Sequence, residues 1–283
     1  MKTCSQNCIY CQLCTDAPPV SERGSYAPID EVLEELKRKL QEHPAIDCIT
    51  VSGSGEPTLH SKIGKLLKGI KDLTDTMVVV ITNSTMLWQK EVRDDLSAAD
   101  VVMPSLDACD QETFEKINKP AEDISFQKLV DGLIEFRRQF KGQFWLEVFM
   151  VDGINTDQAH IAKFKEIIEK IDPDKIQLNT AVRPTSGMNV KLIDEEKLRS
   201  IASLLGPKAE VIAKFTRKSE SGNSESLIER VIDTLKRRPC SAEGLASSLG
   251  LDEDKINEQI EILKKKNIIR SENRSGEEFY IVI

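Results

Sequence analysis

Met77-Val-Val-Val-Ile-Thr82-Asn83-Ser84 is the stretch on which the fold turns. Its first six residues are dense in β-branched apolar side chains, as in a strand covered on both faces, and it stops on polar ones. On either side lie segments of helical period. Upstream, residues 59–73 and 29–43 read as helices. The second carries Val32, Leu33, Leu36 and Leu40 as a stripe, with Pro28 and Asp30 at its start and Pro44 beyond it. A short apolar run at 47–52 separates the two. Downstream, 87–96, 126–140, 156–171 and 194–205 read as helices, and 100–105, 144–151 and 175–180 as strands. Strands that alternate with helices pair in parallel, because each crossover returns the chain to the same end of the sheet. The polar strand ends suit a β/α barrel, which gathers functional groups on its C-terminal face. A flavodoxin-like doubly wound sheet fits the same string of elements.

The chain has 283 residues, enough for one sizeable domain and a small one. Hydrophobic residues make up 40%, which suits a globular protein, and no apolar run approaches the roughly 20 residues of a membrane span. No signal-peptide pattern opens it. Seven cysteines without such a signal point to reduced thiols and a cytoplasmic location. The net charge of −8 offers nucleic acid no global attraction.

Three of those cysteines open the chain as Cys4-Ser-Gln-Asn-Cys8-Ile-Tyr-Cys11. The C-x3-C-x2-C spacing supplies three thiolates from one short loop, one fewer than closes a cubane iron–sulfur cluster. Zinc is the rival ligand, although structural zinc takes four ligands and usually paired C-x2-C units. Cys11-Gln-Leu-Cys14 is one such pair and also reads as a redox pair, though no strand precedes it. Cys48, Cys109 and Cys240 read as buried small hydrophobes or bystanders.

The aromatic residue before Cys11 makes the motif resemble that of the radical S-adenosylmethionine enzymes. The resemblance implies a 4Fe–4S cluster on Cys4, Cys8 and Cys11, whose fourth iron holds S-adenosylmethionine. It also implies reductive cleavage of that cofactor, hydrogen-atom abstraction from a substrate, and an electron donor such as a flavodoxin or ferredoxin. An open six-stranded partial barrel, a (β/α)6 TIM-like form, is then expected. In the family a strand precedes the cluster loop, whereas here only Met1-Lys2-Thr3 do, so the first strand is expected to be missing, through a misplaced start or a fragment, or else through a barrel that closes without it. Ser52-Gly53-Ser54-Gly55-Glu56-Pro57 stands where the family has a Gly-Gly-Glu-like motif for the cofactor's amino group. Glycine admits close backbone approach, and a carboxylate pairs with an ammonium. Asn83, Ser105 and Asp107 stand at positions that contact the cofactor, and Tyr10 and Val151-Asp-Gly-Ile-Asn155 at positions bordering adenine. Asn, Ser and Asp are equally good helix caps. Glu147, a carboxylate in an apolar strand, is expected to face the barrel interior, with Arg183 as a partner.

Within the superfamily, Lys2-Thr-Cys-Ser, Cys8-Ile-Tyr-Cys-Gln-Leu13, Val51-Ser-Gly-Ser-Gly-Glu-Pro-Thr-Leu-His60, Pro104-Ser-Leu-Asp-Ala108 and Ile176-Gln-Leu-Asn-Thr-Ala-Val-Arg-Pro184 resemble uncharacterised iron–sulfur oxidoreductases related to wyosine-type tRNA modification enzymes. Cys14 stands where that subgroup has glycine.

Residues 1–216 are read as the barrel, 217–226 as a Ser/Glu/Gly/Asn-rich linker, and 227–283 as a second unit. Helices at 227–235 and 253–266, a short helix and turn at 240–250, and a hairpin around Asn273-Arg-Ser-Gly276 resemble a winged helix-turn-helix. Its second helix opens on Asp252-Glu-Asp, which repels phosphate where DNA readers place donors. A protein-contact, substrate-presenting or dimerisation module is the reading adopted. The reading from another class is a metal- or cluster-sensing regulator with a DNA-binding tail, and the Gly-Glu loop and barrel pattern oppose it.

Overall fold

In a computed structural model of the chain, Met77–Thr82 is the second of six parallel strands that pair in strict sequence order. They are β1 (Cys48–Val51), β2 (Met77–Thr82), β3 (Val101–Pro104), β4 (Gln143–Met150), β5 (Lys175–Thr180) and β6 (Ala209–Val211). Residues 2–11, 13, 17–42, 46–181, 190, 193–213, 224–237, 239–249, 251–274 and 277–283 are described. They fall into two compact units, one ending at Ala213 and the other reaching Ile283.

Sequential strand order settles the winding of the first unit. A doubly wound sheet reverses direction partway, whereas this one advances one strand at a time, in the manner of a partial barrel. Helix α1 (Ile29–Glu42) precedes β1, and α2 (Ile63–Leu73), α3 (Lys90–Asp95), α4 (Gln111–Asn118), α5 (Phe126–Gln139), α6 (Gln158–Ile171) and α7 (Glu195–Leu205) make the crossovers. Because strand side chains alternate, Val78, Val80, Val102, Phe144, Leu146, Val148 and Leu178 share the helix-covered face, where each is wholly buried. Ile81, Met103, Trp145, Glu147 and Asn179 lie on the opposite face and are only half-buried. That second face is the inner wall of the partial barrel.

Sequence and structure part at three elements. Strand β6 was not expected; it is three residues long and carries no periodicity. Helix α4 was not expected either, since it turns only Phe114 and Ile117 into the core as large apolar residues. The helix expected over 87–96 shrinks to α3 and a 3-10 turn at Leu96–Ala98, because Leu87 and Gln89 are in tight turns closed on Ser84 and Met86. Cys48 is exposed on β1, as a bystander thiol. Cys14, Arg183 and residues 217–223 lie outside the described residues.

The second unit is α8 (Ser224–Arg237), α9 (Ala242–Leu249), α10 (Glu253–Lys265) and an antiparallel hairpin, β7 (Ile269–Arg274) with β8 (Glu277–Val282). Helix α8 begins inside the segment expected as linker. The unit has its own core, with Val231, Leu245, Ile256 and Leu263 at its centre and Tyr280 across it. Among the described residues no helix is long and apolar enough to cross a membrane.

Candidate active site at the thiol loop

The cysteine loop is stitched to the sheet on one side and to α4 on the other. Thr3 forms a parallel bridge with Gly55, and the Glu56 amide donates to the Thr3 carbonyl at 2.9 Å. A side chain at Gly55 would put its Cβ 1.8 Å from that carbonyl oxygen, so only glycine lets the two backbones meet. On the far side Gln6 bridges Pro120, the Asn7 amide donates to Asn118 O, and the Ile9 amide to Ile117 O. The Cys11 amide turns back onto Cys8 O at 3.0 Å. The loop's position therefore depends on the end of α4.

Two side-chain amides reach its sulfurs. Asn83 Nδ2 lies 3.5 Å from Cys4 Sγ, and Asn118 Nδ2 lies 3.5 Å from Cys8 Sγ. Burial pushes the Cys8 thiol up to about 12, with the Asp107 charge adding to the effect, and burial also raises Cys4. A ligating role requires both protons to leave, and N–H donors aimed at the sulfurs favour the thiolates that result. None of the described cysteines is in a disulfide. Three thiols on one loop, two of them within reach of amide donors, fit a group that takes three thiolates. The Asn118 Oδ1 atom is buried with no partner among the described residues.

Glu56 was read as a partner for an ammonium, and the structure gives its carboxylate protein donors. Oε1 accepts from the Thr58 amide at 2.9 Å, Thr58 Oγ1 at 2.5 Å and Thr82 Oγ1 at 2.6 Å, and Oε2 from the Asn83 amide at 2.7 Å. Burial raises its pKa and these bonds oppose the rise. Glu56 thus ties the loop after β1 to the end of β2, while Ser52, Gly53 and Ser54 stay exposed. Asn83 is held likewise, its Oδ1 accepting from Thr85 Oγ1 at 2.7 Å and its Nδ2 donating to Ser5 Oγ at 3.0 Å.

Asp107 is the second hub. Its Oδ2 accepts from Tyr10 OH at 2.5 Å and Asn118 Nδ2 at 2.8 Å, and its Oδ1 from the Phe149 amide at 3.0 Å. Burial raises its pKa against these bonds. Tyr10 stacks on Phe149 with ring centroids 3.8 Å apart, and Asn155 Nδ2 closes the far side on Asp107 O and Phe149 O. Tyr10, Asp107 and the 151–155 segment, read separately from sequence, are one assembly.

On the inner wall, Glu147 Oε1 accepts from Asn179 Nδ2 at 2.9 Å and Oε2 from Ser105 Oγ at 3.4 Å. Its pKa is raised, mainly by burial and then, after the opposing Asn179 bond, by the Asp107 charge. No cation pairs with it among the described residues. Sequence reasoning missed Asn118, Ser5 and Thr85. Asp110 capping α4, with Phe114 and Ile117 at i and i+3, was the available signal for the first.

The family model described as the Radical SAM superfamily matches residues 1–202. A protein named GTPase Obg from Brachyspira hyodysenteriae is 39% identical over 284 residues, which is 99% of this chain and 42% of that protein. The chain thus spans less than half of that relative, and it has no G-x4-G-K-[S/T] phosphate loop of its own. A UPF0026 protein of Synechocystis is 34% identical, over 65% of this chain and 68% of its own length. A radical SAM methyltransferase from Sphaerobacter thermophilus shares the fold with a TM-score of 0.56 at 14% identity, over 75% of this chain and 64% of its own. Streptococcus suis SuiB, solved with S-adenosylmethionine, has a TM-score of 0.54 at 14% identity, over 80% of this chain and 51% of that one. With the family model covering most of the barrel and the thiol loop seated at the C-terminal ends of its strands, the chain belongs to the Radical SAM superfamily, whose enzymes work with S-adenosylmethionine and a 4Fe–4S cluster.

Proposed function

We propose that Cys4, Cys8 and Cys11 hold a 4Fe–4S cluster and that the chain cleaves S-adenosylmethionine reductively to take a hydrogen atom from a substrate. Cluster and nucleotide together supply that chemistry: one electron for carbon–sulfur cleavage, and the resulting radical for abstraction. The observation that carries the reading is the thiol loop itself, docked between Gly55 and α4 with Asn83 and Asn118 amides at two of its sulfurs.

The chain's own residues bind and orient. The exposed backbone of Ser52, Gly53 and Ser54, with Gly55 behind it, offers carbonyls to the methionyl amino group. Glu56 fixes that loop from beneath. Asn83, Ser105 and Asp107 line the ribose side, with Asp107 acting mainly through Tyr10 and Asn118. Tyr10 and the 151–155 backbone border the adenine. Glu147, with Asn179 and Ser105, faces the reacting substrate. A flavodoxin- or ferredoxin-like donor supplies the electron.

The test is anaerobic reconstitution with iron and sulfide, then reduction in the presence of S-adenosylmethionine. 5′-Deoxyadenosine forms with the native chain and is lost in Cys8→Ala. Failure of a fully loaded chain to cleave the cofactor would refute the reading.

The finer kinship, to oxidoreductases related to wyosine-type tRNA modification, rests on the quoted stretches alone and makes RNA one substrate class beside protein and small molecules. The second unit, with three helices followed by a hairpin, is read as a winged-helix module that contacts protein. Its α10 opens on exposed Glu253 and Asp254 behind the Asp252 cap, which disfavours a DNA backbone.

A further inference from the structure

Outside the thiol loop, one group of metal-type donors comes together. Cys109, Asp110 and His160 each bring a donor atom within 4.8 Å of the others. Cys109 and Asp110 follow β3, with Asp110 capping α4, and His160 is in the first turn of α6. Cys109 is buried, while Asp110 and His160 are half-exposed. A thiol, a carboxylate and an imidazole are the donor types zinc takes in mixed sites.

The geometry is close to what the ion requires. Zinc–sulfur and zinc–oxygen bonds of about 2.3 and 2.1 Å at a tetrahedral angle place sulfur and oxygen about 3.6 Å apart. Cys109 Sγ and Asp110 Oδ2 are 3.8 Å apart. The imidazole is oriented as a ligand is. His160 Nδ1 lies 2.8 Å from Asp157 Oδ2, so a proton on Nδ1 leaves the Nε2 lone pair facing the group. Among the described residues, Thr113 Oγ1 lies 3.3 Å from Nε2, and that hydroxyl already donates its one proton to Asp110 Oδ1 at 2.7 Å. A neutral His160 in this tautomer therefore has a lone pair that Thr113 cannot satisfy. Asp110 Oδ1 is also taken by the Thr113 amide, which leaves Oδ2 for a cation.

We infer that Cys109, Asp110 and His160 form a second metal site, selective for zinc, with water as fourth ligand and Asp157 orienting the histidine. Binding replaces the Cys109 proton, which leaves to solvent. It also displaces Lys163 Nζ, now 2.6 Å from Asp110 Oδ2, and that lysine side chain is 53% exposed and free to swing out. An ion there clamps the loop after β3, which also carries Asp107, to α6.

The probe is cobalt(II), read by thiolate-to-metal absorption, with zinc as competitor. The full-length chain carries Cys4→Ser, Cys8→Ser and Cys11→Ser to remove the other thiol set, and circular dichroism melts verify folding. One cobalt per chain should bind with a thiolate band, zinc should displace it, and zinc should raise Tm. His160→Gln, on a half-exposed position, should abolish the band and the Tm rise, as should Cys109→Ser. Asp157→Asn should weaken binding about 10- to 100-fold, as outer-shell partners generally do. Lys163→Met should tighten it, because ion and ammonium compete for one oxygen. Absence of a cobalt band in the folded Lys163→Met chain, or a band surviving His160→Gln, overturns the site.

Discussion

Gly55 and Glu147 show how much of the site is decided by single atoms. At Gly55 a methyl group would collide with the Thr3 backbone, and backbone cannot yield as a flexible side chain does. Gly55→Ala should therefore push the thiol loop off the sheet, with iron uptake on reconstitution falling severalfold while the barrel still folds. Normal uptake would show that the Thr3 contact is dispensable. At Glu147 the argument is electrostatic. Its folded-state pKa is raised, so the native chain holds the proton more tightly than the unfolded chain does. That contribution to stability is complete below the ordinary carboxylate range and is lost as pH rises through the folded value. Glu147→Gln should then raise Tm at pH 7.5, by about 2–4 °C for each kcal/mol recovered, and leave it unchanged near pH 4. A gain independent of pH would point to packing instead. The residue types at the site were legible because cysteine spacing and polar strand ends are local signals. Their engagement was not, because Glu56 takes Thr82 and Asn83, and Asp107 takes Tyr10 and Phe149, from segments remote in sequence, and a carboxylate facing a ligand has the same sequence as one facing threonines.

Among elements, those read correctly from sequence were long or chemically uniform. Strand β2 matches its expected bounds because four of its six residues are Val or Ile. Strand β5 matches too. Helix α4 escaped because it is short and half its surface faces solvent, yet it carries Asn118 to Cys8. A site residue was thus missed because its element was missed. The second unit offers an independent check at this scale. Its buried residues contact one another through α8, α9, α10 and the hairpin, and Leu263 is wholly buried. Residues 224–283 expressed alone should unfold cooperatively. Leu263→Ala should cost about 2–5 kcal/mol there and leave the barrel's melting transition in place. A gradual, non-cooperative loss of helix signal would contradict an independent core.

Across the whole chain, alternation of strands and helices was legible in the periods, whereas the winding was expected only from the polar strand ends and the family resemblance. The same string of elements folds as a barrel or as a doubly wound sheet, and the difference resides in which strands become neighbours after each crossover. That choice is made by tertiary packing, here of the apolar outer face against the helices, and not by any one segment's period. The inner wall that results holds Trp145, with Lys175 Nζ 4.5 Å from its ring centre, while Trp88 sits outside at 41% exposure. These are the chain's two tryptophans. Replacing Trp88 with phenylalanine would leave one tryptophan, selectively excited at the red edge of the absorption band and seated in the barrel whose mouth carries the thiol loop. Its emission should dim as iron and sulfide are loaded, since a broadly absorbing chromophore quenches by energy transfer, and should hold steady in Cys8→Ala. Light from a single indole would then time the assembly of the centre without any knowledge of the substrate.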